Sequence, residues 1–361
     1  MDKGSRHDPM LPYAKRMLER AGAGEISSND LKIEWYKLGT DFAFAVRERM
    51  SSLVLSGLDE NFESSLKLGR DLIENPNISD QTWGETKNII FSERDDEEKE
   101  PRAISNALAH FHRYGKRSRY LERPSDSDLN STTVQELSSL LSELLQVKRT
   151  VLYYGPKSPE VVMEAISKGF IGDLDSINQT EPFETLRSHK PAQNQIYFFE
   201  KEMAQAQVRL EFAAGAYDET EMPAIQIFNE YFGGGMAGLV FQELREARAL
   251  AYSAWANYFT ASHPDEENIL VGSIGCQADK TIEAVHAFME LLENMPINQT
   301  RWESTHSSIL STYRTNPIPF RSTAGYVYDM NILGLDKDPR ENRFSILKDC
   351  LLYTSPSPRD V

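Results

Sequence analysis

Apolar residues recur along this chain with two periods, and each period marks an element. Between Asp41 and Met50, Phe42, Phe44 and Val46 alternate with their neighbours, as on a half-buried strand. Ser51–Gly57 reads as a second strand. Asp59 then caps a helix that runs to about Glu74 and stops at Asn75-Pro76. The same order returns later. Tyr252 to Phe259 alternates, Ile269–Gly275 is a strand, and Asp279 caps a helix ending at Asn294-Met295-Pro296. Arg149–Tyr154 predicts a strand and Ser158–Ser167 a helix, while Gln195–Phe199 and Ala206–Ala213 predict two more strands. From Met222 to Phe232, Ile225, Phe228 and Phe232 share one helix face. Gly233-Gly234-Gly235 stop that helix, and a second runs from Met236 to about Arg248 with Leu239, Val240 and Leu244 inward. Ala249-Leu250 turn the chain into the strand that begins near Tyr252.

The recurrence is an internal repeat. Residues 72–102 match residues 291–321 at a constant offset of 219, without gaps. Leu72 pairs with Leu291, Trp83 with Trp302, Thr86 with Thr305, Ile90 with Ile309 and Arg102 with Arg321. Chance gives about two identities over such a stretch at average residue usage. The chain has only 4 tryptophans, so the Trp pair weighs most. The pattern predicts an α+β fold: two tandem copies of one domain, each with antiparallel strands and helices on one face. Residues 1–172 form the first copy, 173–194 a polar linker, and 195–349 the second copy. Shifted by 219, the Arg149–Tyr154 strand falls beyond Val361, and the strands from Gln195 and Ala206 fall before or near Met1. The first copy is therefore expected to be truncated at its start and the second at its end, in a fragment of a longer polypeptide. Residues 350–361 resemble translated sequencing-adapter read-through and are set aside as a non-native tail.

Composition narrows the function. With 39 Lys and Arg against 55 Asp and Glu, the net charge is −16. Nucleic acids and anionic membranes need basic surface, so neither is an expected partner. No apolar run approaches a membrane span, and Met1-Asp2-Lys3-Gly4 begins no signal peptide. Cys276 and Cys350 form no CxxC pair, so neither a disulfide framework nor a thiolate zinc site is readable. The run Glu93 to Glu100 reads as a solvated helix end or loop rather than an acidic ligand cluster.

The densest chemistry lies between Phe228 and Ser253. Gly-Gly-Gly-Met, then Leu-Val-Phe-Gln-Glu-Leu-Arg-Glu, then Leu-Ala-Tyr-Ser resembles the C-terminal, non-catalytic half of insulinase/pitrilysin zinc metallopeptidases. The resemblance extends diffusely from Pro9 to Arg340. It implies that Arg245 and Tyr252 reach substrate: Tyr252 to the scissile carbonyl region, Arg245 to substrate backbone. A phenol donor and a guanidinium fork suit negative charge building on oxygen. It also implies that Gly233, Gly234 and Gly235 let substrate backbone approach. Taken without the resemblance, Arg245 near a helix C-terminus favours the macrodipole, Tyr252 is a strand-edge core residue, and the glycines are a helix stop. Ala249 departs from the family, which has glycine there.

The family's zinc motif, His-x-x-Glu-His, is missing. None of the 7 histidines fits it; His110-x-His112 comes nearest, and on a helix those two point apart. Pro12-Tyr13-Ala14-Lys15-Arg16 takes the motif's place in the first copy. The resemblance thus implies a degenerate third-type domain followed by a fourth-type domain. Zinc and its ligands would lie in an N-terminal catalytic half, the two halves closing like a clamshell on a peptide substrate, and this piece would not hydrolyse peptides alone. A non-catalytic subunit that binds peptides or scaffolds a complex is the alternative.

Overall fold

The computed structural model describes residues 1–171, 184–189 and 193–350. The first part of the chain runs α1 (Leu11–Leu18), β1 (Gly22–Ala23), α2 (Ser28–Leu38), β2 (Thr40–Val46), β3 (Ser51–Gly57), α3 (Phe62–Glu74), β4 (Pro76–Asn77), α4 (Asp80–Glu97), α5 (Pro101–Tyr114), α6 (Arg119–Glu122), α7 (Asp126–Ser131), α8 (Val134–Glu143) and α9 (Pro159–Ile166). Then follow β5 (Ala206–Ala216), α10 (Met222–Phe228), α11 (Leu239–Phe241), β6 (Ser253–Phe259), β7 (Glu267–Cys276), α12 (Thr281–Glu293), α13 (Gln299–Thr315), α14 (Thr323–Ile332) and α15 (Arg340–Asp349). The fold mixes helix and sheet, and its strand pairs are antiparallel. The described residues divide into two compact units. One holds Met1–Glu97 and the stretch from Leu121; the other holds Glu98–Tyr120 and the stretch from Thr185.

In the first unit, α1 buries Leu11, Ala14, Met17 and Leu18, the one-face spacing of a 3.6-residue helix. α2 starts at Ser27, whose hydroxyl accepts the Asp30 N–H, and ends at Gly39 in the left-handed region at φ 55°. β2 and β3 form a hairpin in register from Thr40 opposite Gly57 to Val46 opposite Ser51. α3 sets Leu66, Leu72 and Ile73 into the core, with Trp83 and Ile90 of α4 and Leu137, Leu140 and Leu141 of α8. α7 and α8 each begin with a capping box, Ser125 with Asp128 and Thr133 with Glu136.

The second unit is built on a three-stranded sheet in the order β5-β7-β6. α12 turns Ala284, Ala287, Phe288 and Leu291 into its core, and α13 adds Trp302, Ile309 and Leu310. Phe232 meets Phe288 edge-on at 5.9 Å between ring centres. α5 also belongs to this unit, through Arg113 on Glu211 and Arg209 on Asn106.

The expected strands at Asp41–Met50, Ser51–Gly57, Ala206–Ala213, Tyr252–Phe259 and Ile269–Gly275 correspond to β2, β3, β5, β6 and β7. Two others do not form. Arg149–Tyr154 and Gln195–Phe199 find no strand partner, and Val151, Leu152, Ile196 and Phe198 are exposed. Asp59 and Asp279 do not cap helices with their side chains; each lies in a 3₁₀ turn, Asp59–Asn61 or Ala278–Lys280, that leads into α3 or α12. The expected linker lies mostly outside the described residues, as does the tail beyond Cys350.

Candidate functional site

The segment from Asn229 to Ser253 is fixed by its backbone. After α10 the chain winds one wide turn, Asn229–Gly233, and reverses at the glycines. A Cβ on Gly233 would fall 1.9 Å from Ala256 O, and one on Gly234 would fall 2.1 Å from Glu230 O. Gly233 therefore lets the helix end press against β6, where any side chain would collide with a carbonyl. Gly235 lies at φ 57° and faces open space. Asn229 seals the edge of β6: its Nδ2–H donates to Tyr258 O at 3.0 Å, and its Oδ1 accepts the Tyr258 N–H at 2.7 Å. Periodicity alone missed this contact, since nothing in the helix pattern marks Asn229 as a strand cap.

The next helical stretch, Leu239–Phe241 and then Gln242–Ala247, carries Arg245. Its guanidinium lies 4.7 Å from the centre of the Phe241 ring, with a Glu246 carboxylate oxygen at 3.5 Å. Leu244 is fully buried, and its carbonyl accepts the N–H groups of both Leu250 and Ala251, at 2.9 and 3.2 Å. Between them and Arg248 sits Ala249 in the left-handed region, at φ 49°. The Tyr252 N–H donates to Gly275 O at 2.7 Å, while its side chain is 73% exposed. Tyr252 is thus anchored by its main chain and free at its phenol; it is not a core residue. Arg245 and Tyr252 are both open to solvent, at the two ends of one clamped turn, and no hydrogen bond joins them among the described residues.

Among the described residues, those at the expected metal position do not fit zinc. Where the metal-binding helix is expected, α1 carries Lys15 paired with Glu19 and Arg16 paired with Glu93, cations already satisfied by carboxylates. His110 Nδ1 lies 3.2 Å from Ser118 Oγ, and the His112 ring packs edge-on against Tyr197 at 4.8 Å. Among the described residues no three His, Cys, Asp or Glu side chains form a group that could hold a metal ion.

Comparison with known proteins follows from this fold. Residues 132–305 match the family described as the peptidase M16 inactive domain. The Bacillus subtilis (strain 168) protein named "uncharacterized zinc protease YmxG" is 20% identical over 323 residues, covering 87% of this chain and 78% of that one. The solved peptidase M16 inactive domain from Pseudomonas fluorescens superposes with a TM-score of 0.71 at 16% identity, over 98% of this chain and 86% of the other. The periplasmic protease PqqL from Escherichia coli gives a TM-score of 0.72 at 15% identity, over 98% of this chain but only 40% of that longer one. At such identities the structural likenesses establish the fold. No helix among the described residues is long and apolar enough to cross a membrane.

Proposed function

We propose, from the premise that this chain carries a peptidase M16 inactive domain and is kin to the insulinase/pitrilysin peptidases, that it is the non-catalytic half of a zinc metallopeptidase. In this reading it presents Arg245 and Tyr252 to a peptide whose bond is cut by zinc held in an N-terminal catalytic half. The observation that carries it is the anchored, outward Tyr252: main chain on Gly275 O, phenol 73% exposed, seven residues after an accessible Arg245. A phenol and a guanidinium held open in this way offer donors to a carbonyl gaining negative charge. Gly235, with open space before it, adds a place for substrate backbone to approach; Gly233 and Gly234 give the turn its tight path.

The proposal extends to two tandem copies of one domain, at 1–172 and 195–349, although Glu98–Tyr120 of the first belongs to the second compact unit. α3 and α12 start at 62 and 281, and α4 and α13 at 80 and 299, each pair 219 apart. Trp83 and Trp302, Thr86 and Thr305, and Ile90 and Ile309 are buried in both members. The first copy then stands as the degenerate third-type domain, Lys15 and Arg16 replacing metal ligands.

A second reading is an independent non-catalytic subunit that binds peptide or scaffolds a separate catalytic chain. It is favoured by the 86% coverage of the Pseudomonas fluorescens chain. Both readings share one test. The purified chain is incubated with zinc and a pool of unstructured peptides, and new termini are sought by mass spectrometry, alongside photo-crosslinking of a labelled peptide. The expected result is no cleavage, with crosslinks near 235–252 that Arg245→Ala and Tyr252→Phe weaken. Chelator-sensitive cleavage, or crosslinking indifferent to both substitutions, overturns the proposal.

A further inference from the structure

Phe241 holds a position that the core does not account for. Its neighbours Leu239 and Val240, and Leu244 beyond it, belong to the core of the second unit. Phe241 itself is half-buried and is not among the residues that pack on that core. A ring of this size normally contributes by packing against other apolar groups. Here the neighbour over its face is a charge. The Arg245 guanidinium lies 4.7 Å from the ring centre, one helical turn further along. A cation within about 6 Å of a ring centre, over its face, is attracted by the negative electron cloud there.

This contact constrains Arg245 without using its donors. A guanidinium is flat, and its N–H groups all point outward in its own plane. Stacked on a ring, it keeps that whole rim for other acceptors. Among the described residues no acceptor takes an Arg245 N–H; the Glu246 oxygen at 3.5 Å is a charge contact, too long for a hydrogen bond. Arg301 and Arg340 also lie over rings, those of Tyr231 and Tyr326, at 5.9 and 5.1 Å. Those two direct N–H groups to Ala237 O and to the Asp338 carboxylate.

The backbone beneath the pair is fixed at both ends. Gln242 N–H donates to Gly238 O at 3.1 Å, and Gln242 Nε2–H donates to Met236 O at 2.6 Å. At the far end Leu244 O is occupied by the Leu250 and Ala251 N–H groups, and the Arg248 N–H reaches past it to Glu243 O at 3.1 Å. The turn is widened as a result, a form that recurs at functional sites. On this fixed turn the Arg245 side chain is 44% exposed. Without a partner it would sample many rotamers, and binding would have to order it.

We propose that Phe241 is a positioning residue for the peptide site. Its ring orders the Arg245 guanidinium before peptide arrives, with the N–H rim open to backbone carbonyl oxygens. The inference rests on the reading of Arg245 as a peptide contact. Phe241 acts through Arg245 and needs no contact with peptide of its own.

The test uses the full chain, with Phe241→Leu to remove the ring and Phe241→Tyr to keep it. Folding is checked by circular dichroism and by exchange protection of the Tyr252 amide, which is bonded to Gly275 O. In protein made with isotope-labelled arginine, the Arg245 side-chain N–H signal is identified by its loss in Arg245→Lys. It should carry an upfield ring shift that vanishes in Phe241→Leu and persists in Phe241→Tyr. A fluorescein-labelled decapeptide of alternating Ala and Ser, which offers little beyond backbone, serves as the ligand. It should bind Phe241→Leu about two- to fivefold more weakly, the worth of an exposed contact between cation and ring, and bind Phe241→Tyr as it binds the parent. On an Arg245→Ala background Phe241→Leu should have no further effect. An Arg245 signal unmoved in Phe241→Leu overturns the inference whether or not peptide binds. So does a moved signal with binding unchanged, or a loss of binding that persists on the Arg245→Ala background. If Arg245→Ala itself leaves binding unchanged, or nothing binds at about 1 mM peptide, the reading of Arg245 fails first and the inference falls with it.

Discussion

Arg113 grips Glu211 with two nitrogens, Nε on Oε2 at 2.7 Å and Nη2 on Oε1 at 2.6 Å, across 98 residues of sequence. The Glu211 side chain is only 6% exposed and also accepts Arg209 Nε at 2.5 Å. Burial pushes this carboxyl up, but the hydrogen bonds and charges of Arg113, with those of Arg209, outweigh it, and the net direction is down. A carboxyl held below its unfolded value adds stability that is complete above the usual 4.5 and is lost as pH falls through the folded value. Breaking a buried pair from one side costs about 3–5 kcal/mol; Arg113 is partly solvated, so Glu211→Gln should cost about 2–3 kcal/mol. Urea melts from neutral to acid pH should show a downward slope in the parent that is reduced in the variant. Hydrogen exchange should rise along α5, which the pair holds to β5. An unchanged acid slope would remove this role.

Tyr217 donates its hydroxyl to Glu219 at 2.5 Å, and Arg343 of α15 reaches both, Nε to Glu219 at 2.7 Å and Nη2 to the Tyr217 oxygen at 3.1 Å. Burial first, then the hydrogen bond to Glu219 and its charge, push the phenol up to about 12. Burial and Asp338, 2.9 Å away, push Tyr326 to about 12 as well. For a raised acid the stabilisation is complete below the unfolded value near 10 and is lost as pH rises toward 12. Burial also pushes the Tyr258 phenol up, so Tyr217, Tyr326 and Tyr258 should ionise late in an ultraviolet titration of the native protein. Tyr217→Phe should remove one late step and flatten the alkaline fall in stability.

Period and punctuation made much of the fold legible. β3 spans Ser51–Gly57 as the apolar run predicts, and α3 and α12 end at Glu74 and Glu293, just before Asn75 and Asn294. These elements are set by local stripes that face a core. Arg149–Tyr154 and Gln195–Phe199 have the composition of strands, but a strand also needs a neighbour, and pairing is a long-range condition that composition does not carry. Asp59 and Asp279 stand where helices begin, yet a tighter turn comes first, a choice between two hydrogen-bond spacings that residue type barely distinguishes. At the candidate site, the spacing of Arg245 and Tyr252 was readable. The exposure of Tyr252 and the seal made by Asn229 depend on which edges are left open in three dimensions, and no linear pattern records that.

The glycines of the reversal should differ in cost. At Gly233 a methyl group would overlap the Ala256 carbonyl at 1.9 Å, so the turn or β6 must move. Such overpacking costs about 1–3 kcal/mol, with the upper end expected against main chain. At Gly235 there is space, and the penalty for alanine is the left-handed backbone alone, about 1–2 kcal/mol. Gly233→Ala should also speed exchange of the Tyr258 amide by displacing Asn229, whereas Gly235→Ala should leave it protected. Equal exchange in both variants would mean that the turn tolerates the collision.

Ala249 is the one non-glycine residue with positive φ among the described residues, at 49°, where the chain leaves the helical stretch Gln242–Ala247 for β6. α2 makes the comparable exit at Gly39, φ 55°, with a residue suited to it. An L-residue there costs about 1–2 kcal/mol, and glycine gives back about 0.5–1 kcal/mol through the freedom of the unfolded chain. Ala249→Gly should therefore stabilise the protein by up to about 1 kcal/mol, raising the urea midpoint without changing the slope. Gly39→Ala should do the reverse by a similar amount. The hydrogen bonds from Leu250 and Ala251 to Leu244 O, and from Tyr252 to Gly275 O, already determine the path of this turn. Relief at Ala249 should leave Tyr252 in place, and peptide crosslinking at 252 should persist in the stabilised variant. A midpoint that falls instead would mean the left-handed turn is held by contacts with the alanine methyl that outweigh its strain.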